Sequence, residues 1–165
     1  TRAGGEILFI ETRLTRGKGG LLITGQLGDV MKESVQIALS LVKSLYPEET
    51  SVLENHDLHV HVPAGAVPKD GPSAGITLVA ALASLFTGKP VDPDWAMTGE
   101  VSLRGGVMPI GGLPEKLMAA QRAGISKVLI PEDNLDDLDE VADEVKQKLE
   151  IIPVRTVEEA LGRLL

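Results

Sequence analysis

The stretch KDGPSAGITLVAALASLFT, Lys69 to Thr87, sets the plan of this chain, because it leads a glycine-bounded serine into an apolar helix pattern. From Ser73 onward the residues are apolar on nearly every face, which is typical of a helix buried on all sides. Pro72 suits the first position of that helix, and Gly88 suits its end. The stretch therefore predicts a buried helix with a serine at its start.

Upstream of this helix the sequence predicts an early β-hairpin, a helix and a third strand. Gly5–Leu14 and Gly20–Leu27 are rich in β-branched and aliphatic residues, and the run Arg16–Gly19 separates them like a turn. Apolar residues then recur at helical spacing from Val30 to Leu45. The segment Asp57–Pro63 alternates as a strand does.

Downstream, the elements are shorter and alternate irregularly. We expect strands at Trp95–Val101, Val107–Ile110 and Lys127–Ile130, a helix at Pro114–Ala123, an acidic exposed helix over Leu135–Leu149, and a last helix opened by the capping box of Thr156 and Glu159. This alternation favours an α/β or α+β fold with a mixed sheet. Residues 1–165 are expected to form one compact domain.

Composition limits the classes of function. With 165 residues and 43% hydrophobic content the chain can bury a core, and without cysteine it has no disulfide or thiolate metal site. A net charge of -8 works against binding of nucleic acid. No apolar run approaches the roughly 20 residues of a membrane helix, and no signal segment is present, so a soluble, cytoplasmic domain is expected.

The run Gly71–Gly75 matches the G-x-S-x-G pattern of a nucleophile elbow, with Ser73 as the nucleophile. The α/β-hydrolases need a histidine after that serine, whereas His56, His59 and His61 all precede it. An ordinary α/β-hydrolase is therefore excluded.

The histidines are better explained as part of a strand. His59 and His61 share one strand face, which favours a surface or half-buried pair. Asp57 falls on the same face by alternation, but the three residues make no recognisable zinc pattern. We expect no metal site.

A lysine can replace histidine as the general base only if its amine is neutral. From the reference lysine pKa of about 10.4, a base working near pH 7 requires a shift of roughly 3 units, or about 4 kcal/mol. Lys116 is the best-placed lysine, because it falls in the first turn of the helix that begins near Pro114, where the helix dipole disfavours a cation. Leu113, Leu117 and Met118 are expected to desolvate it. The alternative is an ordinary exposed helix lysine.

Several stretches also carry a family resemblance. They are Lys69–Gly75, Met97–Gly105 and Pro109–Lys116, with further similarity at Gly25–Gln36 and His59–Pro63. Together and in this order they closely resemble the proteolytic domain of the Lon ATP-dependent proteases, over almost the whole chain.

The resemblance implies a serine endopeptidase in which Ser73 is the nucleophile, Lys116 is its general base, and Thr98 orients the lysine. Backbone N–H groups at the helix start, including those of Gly71 and Ala74, are natural oxyanion donors, since unpaired donors collect there. Asp70 has two interpretations. It is either an off-state clamp that holds the Lys116 amine as ammonium or a cap of the following helix.

The resemblance further implies unfolded or damaged polypeptides as substrates and a six-membered ring as the assembly. No phosphate-binding loop occurs in the chain, so ATP and Mg²⁺ are expected to bind an ATPase module elsewhere in a longer protein, and this domain is expected to need no cofactor. Two alternatives stay open. One is a catalytically silent scaffold or oligomerisation module, and the other is a hydrolase of small esters with the same dyad.

Overall fold

A computed structural model describes residues 10–25, 27–63 and 74–165 of the chain. Its strands are β1 (Glu11–Arg16), β2 (Leu21–Thr24), β3 (His56–His61), β4 (Trp95–Met97), β5 (Glu100–Val101), β6 (Val107–Met108), β7 (Lys127–Pro131) and β8 (Glu150–Val154). Its α-helices are α1 (Asp29–Leu45), α2 (Gly75–Thr87), α3 (Leu113–Arg122), α4 (Asp143–Lys148) and α5 (Val157–Leu164). Two 3-10 helices, Glu49–Glu54 and Glu132–Glu140, precede β3 and α4. The α/β class with a mixed sheet is confirmed.

The predicted early hairpin is wrong, because β1 and β2 do not pair with each other. Strand β3 lies between them, antiparallel to β1 and parallel to β2. The connecting loop crosses over the start of β3 and is bonded to it, with Gly17 N–H donating to Asn55 O (3.1 Å) and Gly19 N–H donating to His56 O (3.0 Å). The strand pattern of the sequence locates the strands, but it does not specify which strand each one pairs with.

The second sheet is parallel, with the order β4, β7, β8. The predicted strand Trp95–Val101 is divided, because its first part pairs with β7 while β5 forms a separate antiparallel hairpin with β6. Strand β8 was not expected from the sequence. It lies at the sheet edge, where Pro153 is tolerated because an edge position does not need its missing N–H.

Helix α2 lies in the main core, as its apolar pattern predicts. Ile76, Leu78, Val79 and Leu82 are fully buried, and α2 packs with α1 above the first sheet. The helix ends at Gly88, whose φ of 74° is left-handed, as expected for a C-cap. The predicted helices α1, α3 and α5 are also confirmed.

A second, smaller core lies under α3. Leu113 and Leu117 pack there with residues of β7 and with Val141, Val145 and Leu149. The predicted long acidic helix is wrong, because Val141 has extended dihedral angles (φ -94°, ψ 133°) that separate the 3-10 helix from α4. Burying these three side chains against α3 outweighs the local helical preference of the segment.

The last helix begins as the capping box predicts. Glu159 N–H donates to Thr156 Oγ1 at 3.1 Å, as the capping box requires. The reciprocal bond is shifted by one residue, because the Glu159 carboxylate accepts from Arg155 N–H at 2.7 Å and not from the N–H of Thr156. Within the described parts of the chain, no helix combines the length and the apolar character needed to cross a bilayer.

Candidate active site

The start of α2 is docked onto the segment that follows β4. Ile76 N–H donates to Gly99 O at 3.0 Å, which satisfies one of the free donors at the start of the helix. Gly75 permits this close approach, because a Cβ atom built there would lie 2.9 Å from Val101 N and 3.3 Å from Gly99 O. The start of α2 is thus held against the segment Thr98–Val101.

Four of the predicted site residues precede α2 in the sequence, and the structure describes one of them. Ala74 is the N-cap of α2 and is buried, with 8% of its surface exposed. Ser73, Asp70 and Gly71 lie outside the described residues. The nucleophile, one oxyanion donor and the clamp-or-cap choice for Asp70 therefore stay predictions.

Thr98 is a buried polar residue with an unused hydroxyl. Its N–H donates to Leu129 O of β7 at 3.1 Å, and only 7% of its surface is exposed. Thr98 Oγ1 is buried and has no hydrogen-bond partner among the residues that the structure describes. Since nearly all buried polar groups are hydrogen-bonded, this hydroxyl is an exception among the described residues.

Lys116 lies in the first turn of α3, as predicted. Gly112 is the N-cap with a left-handed φ of 73°, and Lys116 N–H donates to Gly112 O at 3.1 Å. The Lys116 Nζ atom folds back over this cap, 4.0 Å from the position that a Cβ atom on Gly112 would occupy. A Cβ atom there would be in ordinary van der Waals contact with the amine.

The surroundings of Lys116 differ in part from the expectation. Leu113 and Leu117 are buried, at 1% and 0% exposure, and Lys116 itself is half-buried. Met118 does not shield the amine as expected, because it faces outward with 37% exposure. Leu113 and Leu117, one turn apart in α3, pack in the second core, while Met118 lies on the exposed side of the helix.

Lys116 forms no salt bridge within residues 10–25, 27–63 and 74–165, where the ion pairs are Lys146–Asp143 and Arg155–Glu132. Glu115 lies beside it, with Oε1 3.6 Å from the same Cβ position on Gly112, but it does not pair with the amine. No described carboxylate therefore forms a salt bridge with the Lys116 amine.

The histidine pair is half-buried, in agreement with the prediction, and it has a partner that the sequence did not reveal. Thr24 Oγ1 lies 2.8 Å from His59 Nε2 and 2.6 Å from His61 Nδ1, between the two rings. Thr24 is the parallel partner of His61 across β2 and β3. Because a hydroxyl has one hydrogen, it can donate to only one of the two rings.

Asp57 is occupied elsewhere, although alternation places it on the histidine face. Its Oδ1 accepts hydrogen bonds from Lys18 N–H (3.0 Å) and Gly20 N–H (2.7 Å), which stabilises the loop between β1 and β2. In the described part of the chain, no group of three His, Cys, Asp or Glu side chains is arranged to hold a metal ion.

Comparisons with known proteins identify the family of this chain. The family model for the Lon protease (S16) C-terminal proteolytic domain matches residues 1–165. A Lon protease of Clostridium beijerinckii is 62% identical over 165 residues, which is 100% of this chain and 21% of that protein. A Lon protease of Methanosphaera stadtmanae is 56% identical over 163 residues, covering 98% of this chain and 20% of that protein. One from Methanosarcina barkeri is 52% identical over 167 residues, covering 100% and 21%.

The chain therefore spans about a fifth of the length of the curated relatives it matches. The match extends from the first residue of the chain to the last, and it includes the serine motif, the Thr98 segment and the start of α3. On this evidence the chain belongs to the family of Lon protease (S16) C-terminal proteolytic domains.

Proposed function

We propose that this chain is a serine endopeptidase domain that works through a dyad of Ser73 and Lys116. The observation that carries the proposal is the docking of the first turn of α2 onto the Thr98 segment, through the 3.0 Å bond from Ile76 N–H to Gly99 O. Two peptide units join Ser73 to Gly75 and span at most about 7 Å. Ser73 lies outside the described residues, but the chain limits its distance from Gly75, and Gly75 lies against Gly99 and Val101 beside Thr98.

Lys116 is proposed as the base because its Nζ atom lies over the Gly112 cap at the start of α3, 4.0 Å from the position of a Cβ atom on Gly112. Among the described residues, no carboxylate forms a salt bridge with that amine. In the structure the Thr98 hydroxyl makes no hydrogen bond to the Lys116 amine or to any other described group. We propose that it bonds to and orients the amine only when substrate is bound.

The reaction follows from these roles. The Ser73 oxygen attacks the peptide carbonyl carbon while its proton passes to the Lys116 amine, and backbone N–H groups at Gly71 and Ala74 stabilise the oxyanion. The ammonium then protonates the leaving amine as the peptide bond breaks, which leaves an acyl-enzyme. Water, deprotonated by the same amine, hydrolyses the ester and regenerates the serine. Side chains supply both nucleophile and base, so the domain needs no cofactor for this chemistry.

The partners are proposed at the level of the whole protein, because this chain spans about a fifth of its relatives. We infer that an ATPase module, with ATP and Mg²⁺, unfolds polypeptides and delivers them to this domain. Unfolded or damaged proteins are the proposed substrates, and a ring of six copies is the proposed assembly. The net charge of -8 makes nucleic acid an unsuitable ligand for this domain.

The proposal is tested in the complete natural protein with unfolded casein and with an acylating or boronate reagent for reactive serines. Ser73→Ala and Lys116→Ala are each expected to lower cleavage by roughly 10³-fold or more, as loss of a dyad member does. Ser51→Ala and Lys148→Ala are the matched controls, because both residues are exposed and belong to other elements. Both controls are expected to keep the activity of the natural protein.

The other outcomes separate the alternatives. If neither casein cleavage nor serine labelling is detected in the natural protein, the domain is a scaffold and the proposal fails. If small esters are hydrolysed but casein is not, the dyad is correct and the endopeptidase assignment is wrong. Full activity of Lys116→Ala would remove the lysine from the mechanism.

A further inference from the structure

The side chain of Asn134 is buried and binds the main chain just ahead of α3. Its exposure is 2%, and it lies in the 3-10 helix that follows β7. Asn134 Oδ1 accepts from Ile110 N–H at 2.9 Å, and Asn134 Nδ2 donates to Ile110 O at 2.8 Å. One carboxamide thus satisfies both main-chain groups of one residue, as a neighbouring strand would.

A third contact agrees with the orientation that the two bonds to Ile110 impose on this amide. Asn134 Nδ2 also donates to Asp137 Oδ2 at 2.6 Å. A carboxylate only accepts hydrogen bonds, so the NH₂ group must face Asp137, and the oxygen must face Ile110 N–H. The hydrogen-bonding groups of the Asn134 carboxamide are therefore all used on the main chain at residue 110 and on its own 3-10 helix.

The clamped residue controls where α3 begins. Ile110 stands two residues before Gly112, the left-handed N-cap, and Gly112 O receives Lys116 N–H. Ile110 also packs against the second core, which includes Leu113 of α3. The stretch from residue 110 to 116 is therefore fixed at one end by Asn134 and at the other by the first helical turn.

The same strand also positions Thr98. Leu129 O in β7 accepts Thr98 N–H, and the chain leaving β7 at Pro131 carries Asn134 three residues later. Strand β7 thus sets the position of Thr98 directly and the start of α3 through Asn134. A displacement of the α3 start relative to β7 would change the separation of Lys116 from Thr98.

We propose that Asn134 is a positioning residue for the Lys116 base, acting through its two hydrogen bonds to Ile110. This inference rests on the proposed Ser73–Lys116 function. Asn134 does not touch substrate. It holds the Ile110 peptide, and through it the first turn of α3, so that the Lys116 amine meets the serine in the reactive geometry.

The test compares Asn134→Ala, Asn134→Asp and Asp137→Ala in the complete natural protein, with active sites counted by a serine-acylating reagent. Asn134→Ala removes both bonds to Ile110, and we expect kcat for a peptide substrate to fall about 10- to 100-fold, the loss typical of a misplacement near 1 Å. KM is expected to stay within about twofold, because the groups that bind substrate are unchanged. Asp137→Ala leaves the clamp in place and is expected to keep kcat within about twofold.

The dependence of kcat on pH distinguishes a positioning role of Asn134 from a purely structural one. If Asn134 merely stabilises the fold, its loss lowers the number of titrated sites, while kcat per site and the midpoint of the kcat–pH profile stay unchanged. Thr50→Val supplies a control, since it removes a buried hydrogen bond far from α3 in the sequence. For a positioning role, kcat per site falls and the midpoint moves in Asn134→Ala but not in Thr50→Val.

Asn134→Asp provides a second test in case Asn134→Ala does not fold. It keeps an acceptor for Ile110 N–H and loses the donor to Ile110 O, so a fall in kcat per site is expected there too. Unchanged kcat per site in the folded Asn134 variants overturns the inference. Ser73→Ala is run in parallel. If Ser73→Ala abolishes cleavage while the Asn134 variants keep their activity, only the positioning role of Asn134 is wrong. If Ser73→Ala stays active, the proposed function is wrong, and so is the inference that rests on it.

Discussion

Replacement of Thr98 by valine should raise stability and lower activity at the same time. The Thr98 hydroxyl is buried without a partner among the described residues, and such a group costs about 1–3 kcal/mol of folding free energy. Valine has nearly the same shape and replaces the hydroxyl by a methyl group. We therefore expect Thr98→Val to raise the free energy of unfolding by about 1–2 kcal/mol.

Thr50 offers a matched control with the opposite sign. It is buried to a similar degree, at 6% exposure against 7% for Thr98, but its Oγ1 donates to Tyr46 O at 2.7 Å. Thr50→Val loses that bond and should lower the free energy of unfolding by about 1 kcal/mol. For a chain of this length the two variants should differ in Tm by roughly 4–12 °C, at about 2–4 °C per kcal/mol.

The activity of Thr98→Val should change in the other direction. If the hydroxyl orients the Lys116 amine in the transition state, its loss removes one hydrogen bond of about 1.5 kcal/mol and lowers kcat about tenfold. Calorimetry and guanidinium unfolding measure the first effect, and casein cleavage per titrated site measures the second. If Thr98→Val is destabilised as much as Thr50→Val, the hydroxyl has a structural partner and the reasoning is refuted. Unchanged kcat would refute the orienting role.

Two further predictions concern the surroundings of the site and the opposite end of the core. Gly75→Ala should lower the free energy of unfolding by about 1–3 kcal/mol, measured with guanidinium, because the added Cβ would press on Val101 N and Gly99 O. Gly162→Ala is the control: no atom lies within 4 Å of the Cβ position on Gly162 in α5, so this variant should be neutral or stabilising. Burial, then Glu49 and Glu158, raise the pKa of Tyr46, so its neutral form is favoured on folding and its contribution to stability should be lost as the pH rises above about 10. Tyr46→Phe should show a shallower decline in unfolding free energy between pH 9 and about 11, and an equal decline would contradict the assignment.

The elements that could be predicted from sequence are those with a local cause. The apolar pattern of α2, the glycine after it and the capping box of Thr156 and Glu159 each act within a few residues, and the structure has all three. The same holds for Lys116, whose place in the first turn of α3 follows from Gly112 and Pro114 beside it. The serine motif could also be identified from the sequence, although its residues up to Ser73 lie outside the described part of the chain.

The features that only the tertiary structure determined depend on contacts between residues far apart in the chain. The observed strand order is β1, β3, β2 and not the predicted hairpin, because β3 lies between two strands that are neighbours in sequence. The acidic segment broke at Val141 because its apolar side chains are buried against α3. The bonds from Asn134 to Ile110 left no signal, because Asn134 stands in no sequence pattern. The motif that contains Thr98 did not reveal that its hydroxyl is buried with no partner among the described residues. Periodicity reports which face of an element is buried, while strand partners and buried polar contacts are chosen by the free energy of the whole packed chain.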